Sequence, residues 1–210
     1  MRKLSGEFWE IRVELHFFYN IISKKITMNT SKTSLANKKV AMIVAFRGFR
    51  DEEYFVPKKI LEEGGVEVKT VSNEKGRARG VGGGDTEVNL LVKDLNQADF
   101  EAVVFVGGGG CLENLDNEDS YRVAREAVSQ NKVLAAICIS PVILAKAGVL
   151  REKKATVWSS ALEKSPIEIL EENGAVYEAG PVVKDGKIIT ANGPSAAQEF
   201  GEVILKTLAR

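Results

Sequence analysis

From Val40 onward, short apolar runs alternate with segments whose apolar residues recur at helical spacing. The runs predict strands: VAMIVAF from Val40, VEVKTVS from Val66, EAVVFV from Glu101, KVLAAIC from Lys132 and GKIITAN from Gly186. The helical spacing covers residues 51–63, 119–130, 141–147, 166–173 and 195–208. Because strands that are apolar throughout are covered on both faces, the alternation predicts an α/β domain with a doubly wound, mostly parallel sheet sandwiched by helices.

Glycines mark the expected ends of three helices. Gly64, Gly148 and Gly174 follow the last periodic residue of a predicted helix, where glycine commonly ends a helix. The segment VGGGDTEVNLLV around Gly82 predicts a glycine-rich turn that leads into an edge strand.

Residues 1–37 differ from the rest and are interpreted as an N-terminal extension that precedes a domain at 38–210. Glutamates at positions 7, 10 and 14 interrupt the apolar character that a signal peptide needs, and no apolar run is long enough to span a membrane. Met28 is our hypothesis for the native start. Otherwise residues 5–23 are expected to form an added amphipathic helix.

Composition excludes several classes of function. The 29 basic and 29 acidic residues cancel, which offers no electrostatic case for nucleic acid or anionic membranes as partners. Two cysteines, Cys111 and Cys138, are too few for a disulfide framework, and one histidine, His16, leaves no zinc-binding cluster. We therefore expect no metal, and a reducing cytoplasm fits best.

Ligands of open α/β sheets bind beyond the carboxyl ends of the strands, and Cys138 ends one predicted strand. A helix begins soon after it at Pro141, so the turn projects the sulfur beside the free N–H groups of a helix start. Such a position favours the thiolate, and we expect a lowered pKa. The competing interpretation is a buried structural cysteine.

Two further features follow predicted strands. The glycines Gly107 to Gly110 let backbone N–H groups approach a reacting oxygen. They lack the spacing of a dinucleotide fingerprint, so no cofactor is predicted. The acidic run Asp51, Glu52 and Glu53 is either a favourable charge at a helix start or the source of one inward carboxyl.

Three motifs, in order, resemble the ThiJ/PfpI superfamily: FRDEEYFVP, VVFVGGGG and AAICISP. The late segment KDGKIITANGP is similar to that superfamily's hairpin and following turn. The resemblance implies a flavodoxin-like, class I glutamine amidotransferase-like fold. It also implies a homo-oligomer, most simply a two-fold dimer, with a hexamer as the alternative.

The resemblance assigns roles to individual residues. It makes Cys138 the nucleophile and Glu53, four residues before Pro57, the carboxyl that hydrogen-bonds its sulfur. A carboxyl beside a thiolate is expected to stay protonated, because two adjacent negative charges are unfavourable. The backbone N–H groups of Gly108 and Ile139 become the oxyanion donors, with Gly107 close by.

The departures from the superfamily concern histidine. PfpI-type proteases have histidine directly after the cysteine, where this chain has Ile139, and the deglycase branch has one at about Trp158. His16 lies outside the matched region. A cysteine peptidase is therefore disfavoured.

A thiolate with a neighbouring acid can add to the aldehyde of a small 2-oxoaldehyde such as methylglyoxal, with Glu53 moving the proton. The glyoxalase and deglycase activities of the superfamily imply this chemistry, so the resemblance predicts a glyoxalase or deglycase-like enzyme with a small-molecule carbonyl substrate. The alternatives are a redox sensor, in which Cys138 is oxidised and Cys111 either resolves it or is an unreactive neighbour, and a chaperone-like stress protein without turnover.

Overall fold

The computed structural model describes residues 35–210, in which strands and helices alternate along the chain. The strands are β1 (Lys39–Ile43), β2 (Arg47–Phe49), β3 (Glu67–Ser72), β4 (Arg77–Gly80), β5 (Asp85–Glu87), β6 (Leu90–Leu91), β7 (Ala102–Phe105), β8 (Val133–Ile137), β9 (Lys154–Ala155), β10 (Val176–Tyr177), β11 (Val182–Asp185) and β12 (Ile188–Ala191). The helices are α1 (Asp51–Glu63), α2 (Cys111–Leu115), α3 (Glu118–Ser129), α4 (Pro141–Lys146), α5 (Ser165–Glu172) and α6 (Ala197–Leu208).

A seven-stranded sheet in the order β11, β12, β8, β7, β1, β3, β6 forms the centre of the fold. Its pairs are parallel except for the hairpin of β11 and β12, which is antiparallel. The register aligns Ile43 with Phe105 and Phe105 with Ala136, so that β1, β7 and β8 end at the same edge. The predicted doubly wound, mostly parallel α/β fold is confirmed.

Two hydrophobic cores cover the two faces of the sheet. Ala41 and Ile43 of β1 face the core that includes residues of α3, α4 and α5, whereas Val40 and Met42 face the core formed with α1 and α6. All four side chains are fully buried. Burial of each large aliphatic side chain contributes about 2 kcal/mol. The central strands are therefore held from both sides, which explains their continuous apolar sequence.

Helix α1 packs closely against α6 at Gly201. A Cβ atom at this glycine would lie 3.0 Å from the Pro57 Cα and 2.9 Å from the Ile60 Cδ1. The absence of a side chain lets the two helices approach each other. This contact fixes α1, whose first turn carries the acidic run of the sequence, against the sheet.

The glycines near helix ends are largely as predicted. Gly148 and Gly174 have φ angles of +79° and +84°, in the left-handed region that favours glycine. After α1 the left-handed residue is Gly65, with φ +92°, whereas Gly64 keeps helical angles. The left-handed residue that ends α1 is therefore Gly65 and not Gly64.

Several short elements were not predicted. A second sheet joins β2, β4 and β5, and a third joins β9 and β10. Strand β4 has the sequence RARG, and β5 has the sequence DTE. Segments of two to five residues show no period from which a strand or helix can be recognised. The glycine-rich turn around Gly82 connects β4 to β5, and the edge strand expected after it is β6.

The predicted helix at residues 5–23 and the Met28 start lie outside the described residues. Among the helices of residues 35–210, none combines the length and apolar character that crossing a membrane requires.

Candidate active site

Cys138 lies where β8 turns into α4, at the carboxyl edge of the sheet. Its φ angle is +65°, a left-handed conformation that costs a non-glycine residue about 1 kcal/mol or more. Two hydrogen bonds hold it there. The Cys138 N–H donates to the Ala191 carbonyl, and the Cys138 carbonyl accepts from the Trp158 N–H, both at 2.8 Å. The strained backbone is therefore fixed by the two neighbouring segments.

The Ser140 side chain stabilises the turn between β8 and α4. Its hydroxyl lies 2.8 Å from the carbonyls of both Phe105 and Ile137, and it accepts from the Ile137 N–H at 3.0 Å. The side chain makes no capping bond to α4. Ser140 is fully buried and joins the ends of β7 and β8, so its role is in the turn.

Glu53 enters the site from the first turn of α1 and is fully buried. Its Oε2 accepts a hydrogen bond from the Gly107 N–H at 3.1 Å, and its carboxyl lies beside the Cys138 side chain, where each group shifts the pKa of the other. Its Oε1 is buried without a hydrogen-bond partner among residues 35–210. The carboxyl is therefore held against the sulfur.

Gly107 occupies the narrow space between these two side chains. A Cβ atom at Gly107 would lie 2.6 Å from the Cys138 Cβ and 2.7 Å from the Glu53 Oε2. Real Cβ atoms do not approach heavy atoms that closely. Contact between Glu53 and Cys138 therefore requires glycine at this position.

Removal from water raises the pKa of Glu53 to about 7, although the Cys138 side chain and the Gly107 N–H favour the charged form. Of the nearby charges, Arg50 lowers the pKa and Glu52 raises it. At neutral pH the Glu53 carboxyl is thus balanced between its two protonation states, which suits a group that both takes and gives a proton.

The expectation of a lowered cysteine pKa is wrong. Burial and, to a smaller extent, the neighbouring Glu53 carboxyl together raise the pKa of Cys138 to about 12. The backbone N–H groups of Gly108 and Ile139 point at the sulfur and oppose this shift, but they do not outweigh it. Because each of the two side chains shifts the pKa of the other, they titrate as a pair that keeps a proton at neutral pH.

Gly108 reaches its place through a backbone that only glycine readily adopts. Its φ angle is +112°, and a Cβ atom there would lie 2.4 Å from the Arg50 amide nitrogen and 2.5 Å from the Gly48 carbonyl oxygen. The structure thus places the N–H groups of Gly108 and Ile139 around the sulfur. Their role as oxyanion donors stays a prediction.

Trp158 flanks the same turn. Besides its backbone bond to Cys138, its Cδ1 atom would lie 3.7 Å from a Cβ placed at Gly193, which follows β12. The side chain is 36% exposed. Together with the half-buried Ile139, it gives the rim of the site an apolar character where a histidine was expected from the resemblance.

Cys111 lies near the site but its side chain is not exposed to it. It begins α2 and is completely buried, and burial strongly raises the pKa of its thiol. This favours the interpretation of Cys111 as an unreactive neighbour. Across residues 35–210, no group of three or more histidine, cysteine or acidic side chains is placed to hold a metal ion.

Comparison with known proteins shows the family of this chain. The model of the DJ-1/PfpI family matches residues 38–207. The chain belongs to the DJ-1/PfpI family. Deglycase PfpI of Pyrococcus furiosus is 37% identical over 160 residues, which cover 76% of this chain and 93% of that protein. An uncharacterised protein of Methanocaldococcus jannaschii is 41% identical over 183 residues, covering 87% of this chain and 88% of the other.

The fold is shared with solved members of the DJ-1/PfpI family. The ThiJ/PfpI domain protein of Brachyspira murdochii superposes with a TM-score of 0.77 at 33% identity, covering 81% of this chain and 95% of that one. The resemblance inferred from the three sequence motifs is therefore confirmed.

Sequence reasoning missed two side chains that stabilise this DJ-1/PfpI site. Asp51 accepts hydrogen bonds from the N–H groups of Gly82 and Gly84 at 2.6 and 2.7 Å. The Tyr54 hydroxyl lies 2.6 Å from the Thr70 hydroxyl. Both residues flank Glu53 in the first turn of α1 and tie that turn to the second sheet and to β3. Their partners lie too far along the chain for a local pattern to reveal them.

Proposed function

We propose that this member of the DJ-1/PfpI family is a cofactor-independent, cysteine-dependent enzyme for small 2-oxoaldehydes or their protein adducts. The observation that carries the proposal is the buried Glu53 carboxyl beside the half-buried Cys138 side chain, with both groups next to Gly107 at the carboxyl edge of the sheet. The deglycase name of relatives from Pyrococcus and Thermococcus supports the same class of reaction.

In the first step, Glu53 takes the thiol proton of Cys138 while the sulfur adds to the aldehyde carbon. A C–S bond forms, the π electrons of the carbonyl move to oxygen, and that oxygen takes the proton to give a hemithioacetal. Because burial keeps the thiol protonated, the reaction needs a base beside it, and Glu53 with a pKa of about 7 fits this role.

In the second step, Glu53 removes the proton from the hemithioacetal carbon and returns it to the neighbouring carbonyl carbon, while the hydroxyl proton of the hemithioacetal moves to the neighbouring carbonyl oxygen. The hemithioacetal of methylglyoxal becomes a lactoyl thioester in this isomerisation, without any external oxidant. Water then cleaves the thioester to lactate and regenerates the Cys138 thiol. The N–H groups of Gly108 and Ile139 are suitably placed to stabilise the negative oxygen that develops beside the sulfur.

The described site does not favour peptide hydrolysis. An amine leaving group must be protonated, and PfpI-type proteases are expected to use the histidine that follows the cysteine. This chain has Ile139 there and Trp158 at the other expected position, and its only histidine is His16. Glu53 is left to move protons, which is sufficient for an aldehyde but less suited to a stable amide.

The test is lactate formation from methylglyoxal by the purified protein and its Cys138→Ala and Cys111→Ser variants. We expect lactate from the wild type and from the Cys111→Ser variant. The rate of lactate formation should fall by about a hundredfold or more in the Cys138→Ala variant. Equal lactate formation in the wild type and Cys138→Ala would contradict the proposal.

A second assay separates free aldehyde from adduct as the substrate. The methylglyoxal adduct of N-acetyl-lysine is mixed with the enzyme while an excess of a small thiol traps released aldehyde. If the trapped adduct is lost at the same rate with and without the enzyme, the enzyme acts on methylglyoxal itself. If the enzyme makes the loss faster than this spontaneous dissociation, it acts directly on the adduct.

A further inference from the structure

A cleft of about 370 Å³ opens at the edge of the sheet opposite Cys138. Lys38 precedes β1, Glu101 precedes β7 and Lys187 precedes β12, so the cleft lies at the amino ends of these parallel strands. Its walls include the ends of the β11–β12 hairpin and of α6. The residues that line it are Lys38, Glu101, Asn131, Val133, Lys184, Gly186, Lys187, Thr207, Leu208 and Arg210.

Positive charge is concentrated in this cleft, which is lined by three lysines and an arginine but only one acidic side chain. That acid, Glu101, is paired with Lys132 at 3.2 Å. Within the part of the chain that the structure describes, Lys38, Lys184 and Lys187 form no ion pair with a carboxylate. Most of the cleft's positive charge is therefore uncompensated.

Most other lysines at the surface behave differently. Lys58 pairs with Glu62, Lys59 with Glu63 and Lys154 with Glu178. On a chain with zero formal net charge, like charges without carboxylate partners are unfavourable when they are gathered in one place. A bound anion would remove that repulsion.

Neutral oxygen atoms hold the three ammonium groups around the cleft. Lys184 donates to the Thr207 hydroxyl at 2.9 Å, Lys187 donates to the Asn131 carbonyl at 2.7 Å, and Lys38 donates to the Leu208 carbonyl at the end of α6. An ammonium group has three donor hydrogens, so each keeps two for a ligand. The lysines are thus positioned without being neutralised.

We propose that this cleft binds a small, multiply charged phosphate compound. Three ammonium groups and the Arg210 guanidinium match the several anionic oxygens of a diphosphate or triphosphate, because charge-assisted hydrogen bonds to phosphate are the strong ones. The volume lies in the range of small-ligand sites. The cleft is too small, and the chain too evenly charged, for a nucleic-acid duplex. This site is independent of Cys138 and of the proposed enzymatic activity.

Isothermal titration of the full chain with sodium triphosphate at low salt tests the proposal. We expect saturable binding with a Kd below about 1 mM, weakened by added sodium chloride. The Lys184→Gln/Lys187→Gln variant should bind at least about tenfold more weakly. The charge-matched control is Lys58→Gln/Lys59→Gln on α1, which removes two paired lysines and should keep the wild-type affinity.

Parallel titrations with ATP and adenosine show which part of a ligand is recognised. Equal affinity for ATP and triphosphate identifies the phosphates alone as the ligand, whereas tighter binding of ATP indicates that the cleft also contacts a nucleoside. In amide NMR spectra, triphosphate should shift the signals of Asn131 and Gly186, which line the cleft. No saturable triphosphate binding, or equal weakening in both double variants, would overturn the proposal.

Discussion

The Gly107 N–H donates a 3.1 Å hydrogen bond to the Glu53 Oε2, and the missing side chain of the same glycine leaves the space in which that carboxyl meets Cys138. One residue thus supplies both the donor that orients the acid and the gap through which the acid reaches the sulfur. The hydrogen bond joins the end of β7 to the first turn of α1.

Replacement of Gly107 by alanine should therefore separate Glu53 from Cys138. The added methyl group would lie 2.7 Å from the Glu53 Oε2, so the carboxyl must move away from the sulfur. We expect kcat/KM for methylglyoxal to fall by about a hundredfold, because the proton transfer depends on that contact. Overpacking should also lower the free energy of unfolding by about 1–3 kcal/mol.

Gly109→Ala is the matched control for this substitution. No heavy atom lies within 4 Å of a Cβ placed at Gly109, and its φ angle is not in the left-handed region. Steady-state kinetics and thermal unfolding of both variants check the prediction. Equal activity of Gly107→Ala and Gly109→Ala would show that the Glu53 contact is not needed for catalysis.

The pH dependence of the reaction should follow Glu53. Burial raises its pKa to about 7, and the carboxylate is the form that takes the thiol proton. The value of kcat/KM should therefore decrease as the pH falls through about 7 and level off above it. A profile of initial rates against pH checks this, and a rate that stays constant down to pH 5 would rule out Glu53 as the base.

Burial of the ionised Glu53 carboxyl destabilises the folded protein. The pKa of Glu53 is raised from 4.5 to about 7 in the folded protein, so this carboxyl ionises at lower pH in the unfolded chain than in the folded one. The free energy of unfolding therefore decreases as the pH rises from 4.5 to about 7. The loss is about 3 kcal/mol above pH 7. Glu53→Gln should therefore raise the melting temperature by several degrees at pH 8 and leave it unchanged at pH 4, while activity is lost.

Glu52→Gln provides the comparison for this effect, because it removes an exposed acid from the same helical turn. Its melting temperature should show no such pH-dependent gain. Differential scanning calorimetry at the two pH values distinguishes the variants. A Glu53→Gln protein that is less stable than wild type at pH 8 would contradict the assigned cause.

Patterns within short segments were sufficient to predict the strands that form the site. Strands β1, β7 and β8 are apolar at every position after Lys39, which begins β1, because both faces of these strands are buried. Pro141 marks the helix start after Cys138. The resemblance of three motifs then singled out Glu53 rather than Glu52, and the structure buries Glu53 and exposes Glu52.

The ionisation of the site could not be predicted in this way. A helix start after Cys138 suggested a stabilised thiolate, but the pKa depends on burial beneath segments distant in sequence. Glu53 and Gly107, which meet here, are 54 residues apart. The lysines of the basic cleft likewise come from separate parts of the chain, one just before β1 and two from the β11–β12 hairpin, and no local pattern joins all three.

Alkylation should reveal the raised pKa of Cys138. Iodoacetamide reacts with the thiolate, so the rate should keep rising with pH through neutrality instead of levelling off. Because the Glu53 carboxyl raises the cysteine pKa, Glu53→Gln should be alkylated faster than wild type at pH 8. Intact mass spectrometry measures the rate, and the fully buried Cys111 should remain unmodified.

A plateau of the alkylation rate near neutral pH would instead support the thiolate that the sequence suggested. Slower alkylation of Glu53→Gln would mean that the carboxyl lowers, rather than raises, the cysteine pKa. Either result would require a different account of how Cys138 is activated.

Trp158 should set the preference for the substituent of the aldehyde. The Trp158 backbone binds the Cys138 carbonyl, and its ring lies near Gly193, where a histidine would be polar and smaller. We expect wild type to favour phenylglyoxal over methylglyoxal, and Trp158→His to reduce that ratio of kcat/KM by about tenfold, since an apolar contact of this size contributes about 1–3 kcal/mol. Trp158→Phe keeps an aromatic ring and should retain most of the preference. All three proteins keep the backbone N–H that holds the Cys138 carbonyl, so a change in the ratio reports the side chain alone. If Trp158→His keeps the wild-type ratio of kcat/KM for the two aldehydes, the aldehyde substituent does not contact Trp158.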